Sequence, residues 1–396
     1  MRITFTGDIL CYESQIQSSK IGKKEYDFSS IFKEVSPYLK DSDYVCGSLE
    51  TPVADSAYTS SDINFNTPYE FLGDLAKSGF DMLTTGNNHC LDRGVIGLKN
   101  TIHALDYFKL DHTGTYLTQE DSDRIFIKDI GDIKIAFLSF TYGTNSRSNK
   151  QYLDPGSEYM VDLLRKQDRV TVQKATLTRR IVRRLKRLIL CRKPVVKKKG
   201  AVRDSVNDKE ILNPENKVYI DRFVSKIRRA KQEADLVVLC MHSGGQFNYD
   251  LGVGAYTEYI VRTAMENGVD IIVGNHAHCV MPAGFVDADK FVSYALGNFS
   301  FTPGEGYYVD GVYADYSVLL HVDIHKVESL HLSVSFSVLK SVKTPEGGSV
   351  VYNVYDLYKN EKDSNARQIL ERDNQEVVSR FTKKNEKVEI SLEYKF

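Results

Sequence analysis

Residues 269–278 read Val-Asp-Ile-Ile-Val-Gly-Asn-His-Ala-His. The run 269–273 is short, rich in β-branched residues and closed by a glycine, so it predicts a strand buried on both faces, as in a sheet covered by helices. Two histidines follow, His276 and His278. Side chains two apart on extended backbone point the same way, so the pair predicts ligands delivered from one strand end.

Working outward, the same alternation recurs. Strand-like runs occupy 2–6, 44–49, 80–84, 124–130, 133–141, 235–241 and 291–296, and helical spacing marks 27–40, 69–78, 94–108, 217–233 and 256–267. This predicts an α/β domain with a central sheet under helices. Runs at 316–324 and 330–339 have few helical signals between them, so the later part is β-rich. Residues 346–396 are highly charged, with strand-like pieces at 350–352 and 388–392, and are set apart as a C-terminal extension of a domain over 1–345.

The chain has 396 residues, 42% hydrophobic and 27% charged, an ordinary globular composition. No apolar run reaches 18 residues, so no spanning helix is expected. The opening Met1-Arg2-Ile3-Thr4-Phe5-Thr6-Gly7-Asp8 reads as a strand, not a signal peptide. Six cysteines without paired spacing predict free thiols in a reducing cytoplasm. The net charge of -1 hides an asymmetry: 165–203 holds 16 of the 52 basic residues and one acid, Asp168. That segment lies in a long connection, 146–211, read as an insertion. Within 177–190, Leu177, Ile181, Leu185, Leu188 and Ile189 share one helical face and arginines cover the rest. A basic amphipathic helix predicts either an anionic membrane surface as partner or a solvated helix docked on the acidic body. The expected location is therefore cytoplasmic, peripheral on the inner face of the membrane. Nucleic acid is not expected, because no aromatic residues interleave the charges for base stacking.

Polar residues recur at the ends of the strand-like runs: Asp8, Glu50, Asn87-Asn88-His89, His242, His276 with His278, and Asn298. In open α/β sheets ligands bind beyond the carboxyl ends of the strands, so these clusters predict one rim. An Asp, a Glu, Asn amides and several His form a nitrogen/oxygen set suited to Mn, Fe, Zn or Ni rather than Ca. A carboxylate between two metals would allow a paired site that clamps a displacement at phosphorus. Taken singly, Asn87-Asn88 is also a turn signal and Asp8 also a helix cap; the prediction rests on their conjunction.

In order along the chain stand Gly7-Asp8, Ser48-Leu49-Glu50-Thr51-Pro52, Gly86-Asn87-Asn88-His89 with Asp92 and Gly94, Phe140 to Asn145, His242-Ser243-Gly244, Gly274 to His278, and Tyr294-Ala295-Leu296-Gly297-Asn298-Phe299. This set resembles the bacterial CapA (PgsA) capsule-synthesis family, a branch of the calcineurin-like metallophosphoesterases associated with poly-gamma-glutamate biosynthesis. The resemblance covers about 1–145 and 212–305. It implies a four-layer α/β/β/α sandwich of the metallophosphoesterase type and a hydrolase of phosphate esters with two divalent-metal sites (Mn, Fe or Zn), the alternatives being an enzyme of γ-glutamyl amide ligation or cleavage and a non-catalytic capsule-assembly scaffold with a vestigial metal site. Asp8 and His278 would hold the first metal, Glu50 would bridge, and Asn88, His242 and His276 would hold the second. His89 would be the general acid and Asp92 its orienting partner. Arg93, Asn87 and Gln246 would meet the substrate, a phosphorylated or polyanionic small molecule or polymer. The sequence departs from the wider pattern at Leu10, where a histidine is usual, which implies a weaker first site. It departs again at Ser243-Gly244-Gly245-Gln246-Phe247, where the family usually has Trp-Gly-x-Glu-Tyr.

Overall fold

Alternation within the strands explains why two sheets form. In Tyr316–Lys326, residues Tyr316, Val318, Leu320, Val322 and Ile324 face one apolar core, while Leu319 faces another. In Ile133–Thr141, residues Ile133, Ile135 and Phe137 face the first of these cores, and Ala136, Leu138 and Phe140 face a third. Such strands are apolar on both sides and must be covered on both.

The computed structural model describes residues 1–54, 58–61, 64–169, 205–245, 252–305, 311–326 and 330–396. One sheet runs in the order β16 (Ser349–Asn353), β15 (Leu330–Lys343), β14 (Tyr316–Lys326), β1 (Arg2–Ile9), β2 (Tyr44–Leu49), β5 (Met82–Thr84) and β6 (Asp111–Thr113); β13 (Asn298–Ser300) also pairs with β1, and β17 (Tyr394–Lys395) with β15. The second runs β11 (Ala283–Asp287), β12 (Lys290–Ser293), β10 (Ile271–Asn275), β9 (Leu236–His242), β8 (Ile133–Thr141) and β7 (Phe126–Ile130). β3 (Thr59–Ser61) and β4 (Asn64–Asn66) make a separate hairpin. The predicted α/β alternation is therefore present, with two sheets in place of one.

The core between the sheets takes Phe5, Tyr44 and Leu320 from one and Phe137, Val238 and Ile271 from the other. The far side of the first sheet is covered by Ile31, Phe32 and Leu39 and by Phe71 and Leu75 of the helix Glu70–Ser78. The far side of the second is covered by Phe223 and Ile227 of Lys217–Glu233 and by Ile260 and Ala264 of Ala255–Asn267. No helix among the described residues is long and apolar enough to cross a membrane.

Glycine is required where the chain crosses itself. A Cβ on Gly7 would lie 2.0 Å from the Gly297 carbonyl oxygen, and one on Gly274 would lie 2.1 Å from that of Tyr294. At Gly7, β1 changes partner: Arg2 to Phe5 pair antiparallel with β14, and Asp8 and Ile9 pair parallel with β13. This crossing sets Asp8 opposite Asn298 on one side and Ser48 on the other.

Several expectations need correction. The predicted helix over 27–40 is two short ones, Ser29–Phe32 and Ser36–Lys40, divided before Pro37, which lacks the N–H needed to continue a helix. The strand expected at 291–296 ends at Ser293. Residues 346–396 do not hang off the domain: β16 pairs with β15, and the helix Ser364–Thr382 buries Val377, Val378 and Phe381 in the core between the sheets. Residues 388–392 form no strand; the last pairing is made by β17. The basic stretch 177–190 and Gln246 lie outside the described residues.

Candidate metal centre

The predicted site residues come from both sheets. Asp8 lies in β1, Glu50 follows β2, and Asn87, Asn88 and His89 follow β5. His242 ends β9, and His276 and His278 follow β10. The sheets meet here. The His276 N–H donates to Asp8 Oδ2 at 2.8 Å, and Gly86 N–H donates to Ser139 Oγ at 3.2 Å.

Asp8, Glu50, His242 and His276 are at most 2% exposed. Ligand-capable atoms of Asp8, Glu50 and His242 lie within 4.8 Å of one another, as do those of Glu50, His276 and His278, so Glu50 belongs to both groups. The His278 ring is 3.8 Å from Asp8 Oδ2 through Nδ1 and 3.7 Å from Glu50 Oε1 through Nε2. His242 Nε2 lies 3.3 Å from Glu50 Oε1.

The donor set fits a divalent cation on two counts. Among the described residues, both Glu50 carboxylate oxygens, His242 Nδ1 and His276 Nδ1 are buried without a hydrogen-bond partner. Leaving such groups unpaired costs about 1–3 kcal/mol each. Proton affinities agree. Burial, then the Glu50 charge, pushes the Asp8 carboxyl well above its ordinary range. Burial likewise raises Glu50 against the opposing pull of His278 and His89. Burial, then His278 and His89, holds His242 well below the ordinary histidine range; burial, then His242 and His278, does the same for His276. Neutral imidazoles and carboxylates awaiting a counter-charge are what a metal ligand set requires.

Hydrogen bonds orient the rings. Asn298 Nδ2 donates to the carbonyls of His278 and Ala314, so its Oδ1 accepts from His278 Nδ1 at 2.9 Å. Asn88 Oδ1 lies 2.6 Å from His242 Nε2, and its Nδ2 donates to Asn145 Oδ1 at 3.2 Å.

His89 is 3% exposed and sits beside the carboxylates, its Nε2 3.9 Å from Glu50 Oε1. Its Nδ1 is 2.6 Å from Asp92 Oδ2, as predicted for an orienting partner. Phe65 stacks edge-on against the ring at 4.7 Å, and its N–H donates to the same Asp92 oxygen. Asn149 Nδ2 donates to the other oxygen at 3.1 Å. Burial opposes protonation of His89, but the charge and hydrogen bond of Asp92, then Glu50 and Asp8, outweigh it and raise the imidazole above its ordinary range.

Some expected roles fare differently. Asn87 is spent on the backbone: its Nδ2 donates to Leu49 O at 2.6 Å and its Oδ1 accepts from His89 N. In this arrangement its side chain shapes the turn. Arg93 stands just before the helix Gly94–Phe108, with Nε and one Nη buried and unpaired. The two histidines of 276–278 do reach the site, but not on extended backbone: their φ values are 94° and 54°. A left-handed turn, not the alternation of a strand, aims them. Leu10 is buried in an apolar cluster with Tyr12 and Phe65, so no nitrogen comes from that position. Sequence reasoning assigned no role to Asn145, Asn149 or Ser205, whose amides and hydroxyl bond Asn88, Asp92 and His276. Asn145 stood inside a recognised motif; Ser205 carried no signal.

Residues 2–303 match the family described as bacterial capsule synthesis protein PGA_cap. The chain is 28% identical over 286 residues to the capsule biosynthesis protein CapA of Bacillus anthracis, covering 70% of this chain and 55% of that one. It is 26% identical over 307 residues to the PGA biosynthesis protein CapA of Bacillus subtilis strain 168, covering 76% and 63%. It thus spans about three-fifths of the length of these curated relatives. One solved structure, GAP50, the anchor in the inner membrane complex of Plasmodium, aligns over 89% of this chain and 88% of its own at 10% identity and a TM-score of 0.34, too slight a likeness to argue from.

Proposed function

The chain belongs to the bacterial capsule synthesis protein family PGA_cap, and from that premise we propose a metal-dependent hydrolase of the phosphoesterase type, serving the biosynthesis of capsule, poly-gamma-glutamate or another surface polymer. One observation carries the reading: ligand-capable atoms of Asp8, His242, His276 and His278, from both sheets, converge on Glu50, and among the described residues both Glu50 oxygens and the Nδ1 atoms of His242 and His276 are buried with no hydrogen-bond partner. The fold is read as a four-layer α/β/β/α sandwich, supported by the shared core between the sheets and the two helix-covered outer faces.

Asp8, Glu50, Asn88, His242, His276 and His278 would hold divalent metal, which when bound supplies a hydroxide at neutral pH and a Lewis acid for a phosphoryl oxygen. The protein's own part centres on His89. Asp92 takes its Nδ1–H, so Nε2 is the nitrogen that delivers a proton to the departing oxygen. The raised proton affinity favours retention of that proton. Phe65 covers the ring and limits water. A phosphorylated or polyanionic substrate suits a site whose cations would outweigh its two carboxylates. Basic residues at 177–190 support attachment to an anionic membrane face; unchanged sedimentation with anionic vesicles after deletion of 165–203 would remove that part.

The test is turnover of a phosphodiester and a phosphomonoester with Mn²⁺, wild type against His89→Ala. Turnover in the wild type, about 100-fold lower in the variant with Mn²⁺ still bound, is expected. Silence in the wild type with Mn²⁺ bound would refute phosphoester chemistry and direct attention to γ-glutamyl amides.

A further inference from the structure

Ser205 is the first described residue after 170–204, and it reaches back to the metal centre. Its Oγ lies 2.6 Å from Gly244 O and 2.7 Å from His276 Nε2. A carbonyl oxygen only accepts, and a serine hydroxyl has a single proton. At 2.6 Å two oxygens without a hydrogen between them repel, so that proton points at Gly244. Ser205 Oγ must then accept from His276, which places the imidazole proton on Nε2. The other nitrogen, Nδ1, keeps its lone pair and is the buried atom without a partner.

We infer that Ser205 is a positioning residue: it locks His276 in the Nε2–H tautomer and so presents Nδ1 as a metal ligand. The inference rests on the metal-centre reading above. It has the same logic as the bond from His278 Nδ1–H to Asn298, which turns that ring by its opposite nitrogen. The two rings carry opposite tautomers, since Ser205 takes the Nε2–H of His276 and Asn298 takes the Nδ1–H of His278. A hydrogen-bond partner on the far nitrogen of a ligand ring fixes ring orientation and ligand basicity and is worth about 10–100-fold in metal affinity. Ser205 is anchored independently of the ring: its own N–H donates to Gly244 O at 3.3 Å, and its neighbour Val206 is buried beside Phe223. The hydroxyl is thus held in place by its own backbone and its neighbour, independently of the ring.

Two readouts on the full chain separate this inference from the reading beneath it. The first is the His276 tautomer without metal, from long-range ¹H–¹⁵N couplings of ¹⁵N-histidine-labelled protein. The wild type should show Nε2–H, Ser205→Ala a mixture or the Nδ1–H form, and Ser205→Thr, which keeps a hydroxyl, the wild-type form. The second is Mn²⁺ affinity by calorimetry: Ser205→Ala should bind about 10–100-fold more weakly and Ser205→Thr within a few-fold of wild type. A Ser205→Ala protein with unchanged tautomer, or with wild-type Mn²⁺ affinity, overturns the inference. A wild type that shows Nε2–H but binds no Mn²⁺ overturns the metal-centre reading while the tautomer lock stands. Should Ser205→Ala melt early, Ser205→Cys, close to serine in size and a poorer acceptor, supplies the comparison.

Discussion

Acid should weaken this fold through His321, and the size of the effect follows from its surroundings. The residue is 4% exposed in β14. Ser337 donates its hydroxyl to Leu392 O at 2.7 Å, so it accepts from His321 Nε2 at 3.2 Å. The Nδ1 then accepts from Thr4 Oγ1 at 2.8 Å. The ring is neutral, with no room for a second proton. Burial, then the charge of Arg2, lowers its pKa from 6.5 to about 4, against the opposing pull of Glu393, Asp323 and Asp41. The folded value lies below the unfolded one, so the unfolded chain binds more protons between the two. Stability from this group is therefore full above pH 6.5 and is lost as the pH falls toward 4. At pH 5 the loss is about 2 kcal/mol, approaching about 3 kcal/mol below pH 4. The assay is urea unfolding at several pH values between 7.5 and 4.5, wild type against His321→Asn. Far-UV circular dichroism and tyrosine emission can both follow it, the chain having 24 Tyr and no Trp. Other groups titrate in both proteins, so the difference between the two curves isolates His321. The wild type should lose its advantage over the variant as the pH drops. A difference that stays flat from pH 7.5 to 4.5 would refute the tautomer chain and the burial argument together.

Three further outcomes are expected. Glu50→Gln should raise the melting temperature of chelator-treated protein, with about 1–3 kcal/mol gained by removing one of two facing buried carboxylates, and should abolish stabilisation by added Mn²⁺. Lys226→Ala should cost about 3–5 kcal/mol in denaturant, because it removes the cation bonded at 2.7 and 2.8 Å to buried Asp162, leaving that carboxylate, among the described residues, only the Tyr116 hydroxyl and Arg222 at 3.5 Å, whereas Lys226→Met with Asp162→Leu should cost less. Gly7→Ala should prevent recovery of folded protein, since a Cβ 2.0 Å from a backbone oxygen cannot be relieved by a side-chain shift; a normal melting curve would contradict the crossing geometry.

What could be read before folding was whatever repeats locally. Apolar runs announced β2, β8, β9 and β10, because strands buried on both faces leave a nearly continuous apolar trace. The ligand set was legible because each member ends or follows such a run. Long-range pairing was not. Nothing local says that Asn298 lies beside Asp8, or that residues 124–141 belong to a different sheet from residues 2–6. The helix Ser364–Thr382 was hidden by two polar residues on its buried face, Asp373 and Asn374. They are paid for by the hydroxyls of Tyr316 and Tyr394, which only the folded chain supplies. The two site histidines were found for a partly wrong reason, since positive φ at non-glycine residues leaves no mark in a sequence.

The change of partner at Gly7 has a consequence in time. Asp8 and its neighbour Asn298 are separated by 290 residues of chain. At ordinary rates of synthesis the ribosome needs about 15 to 60 s to cover that distance. Through that interval β1 has β2 available on one side and an open edge on the other, and Asp8 waits without the carbonyl of Gly297 or the N–H of His276. The centre therefore forms only after residues 276–298 are made, and a nascent chain should be unable to capture its ion until that stretch has emerged.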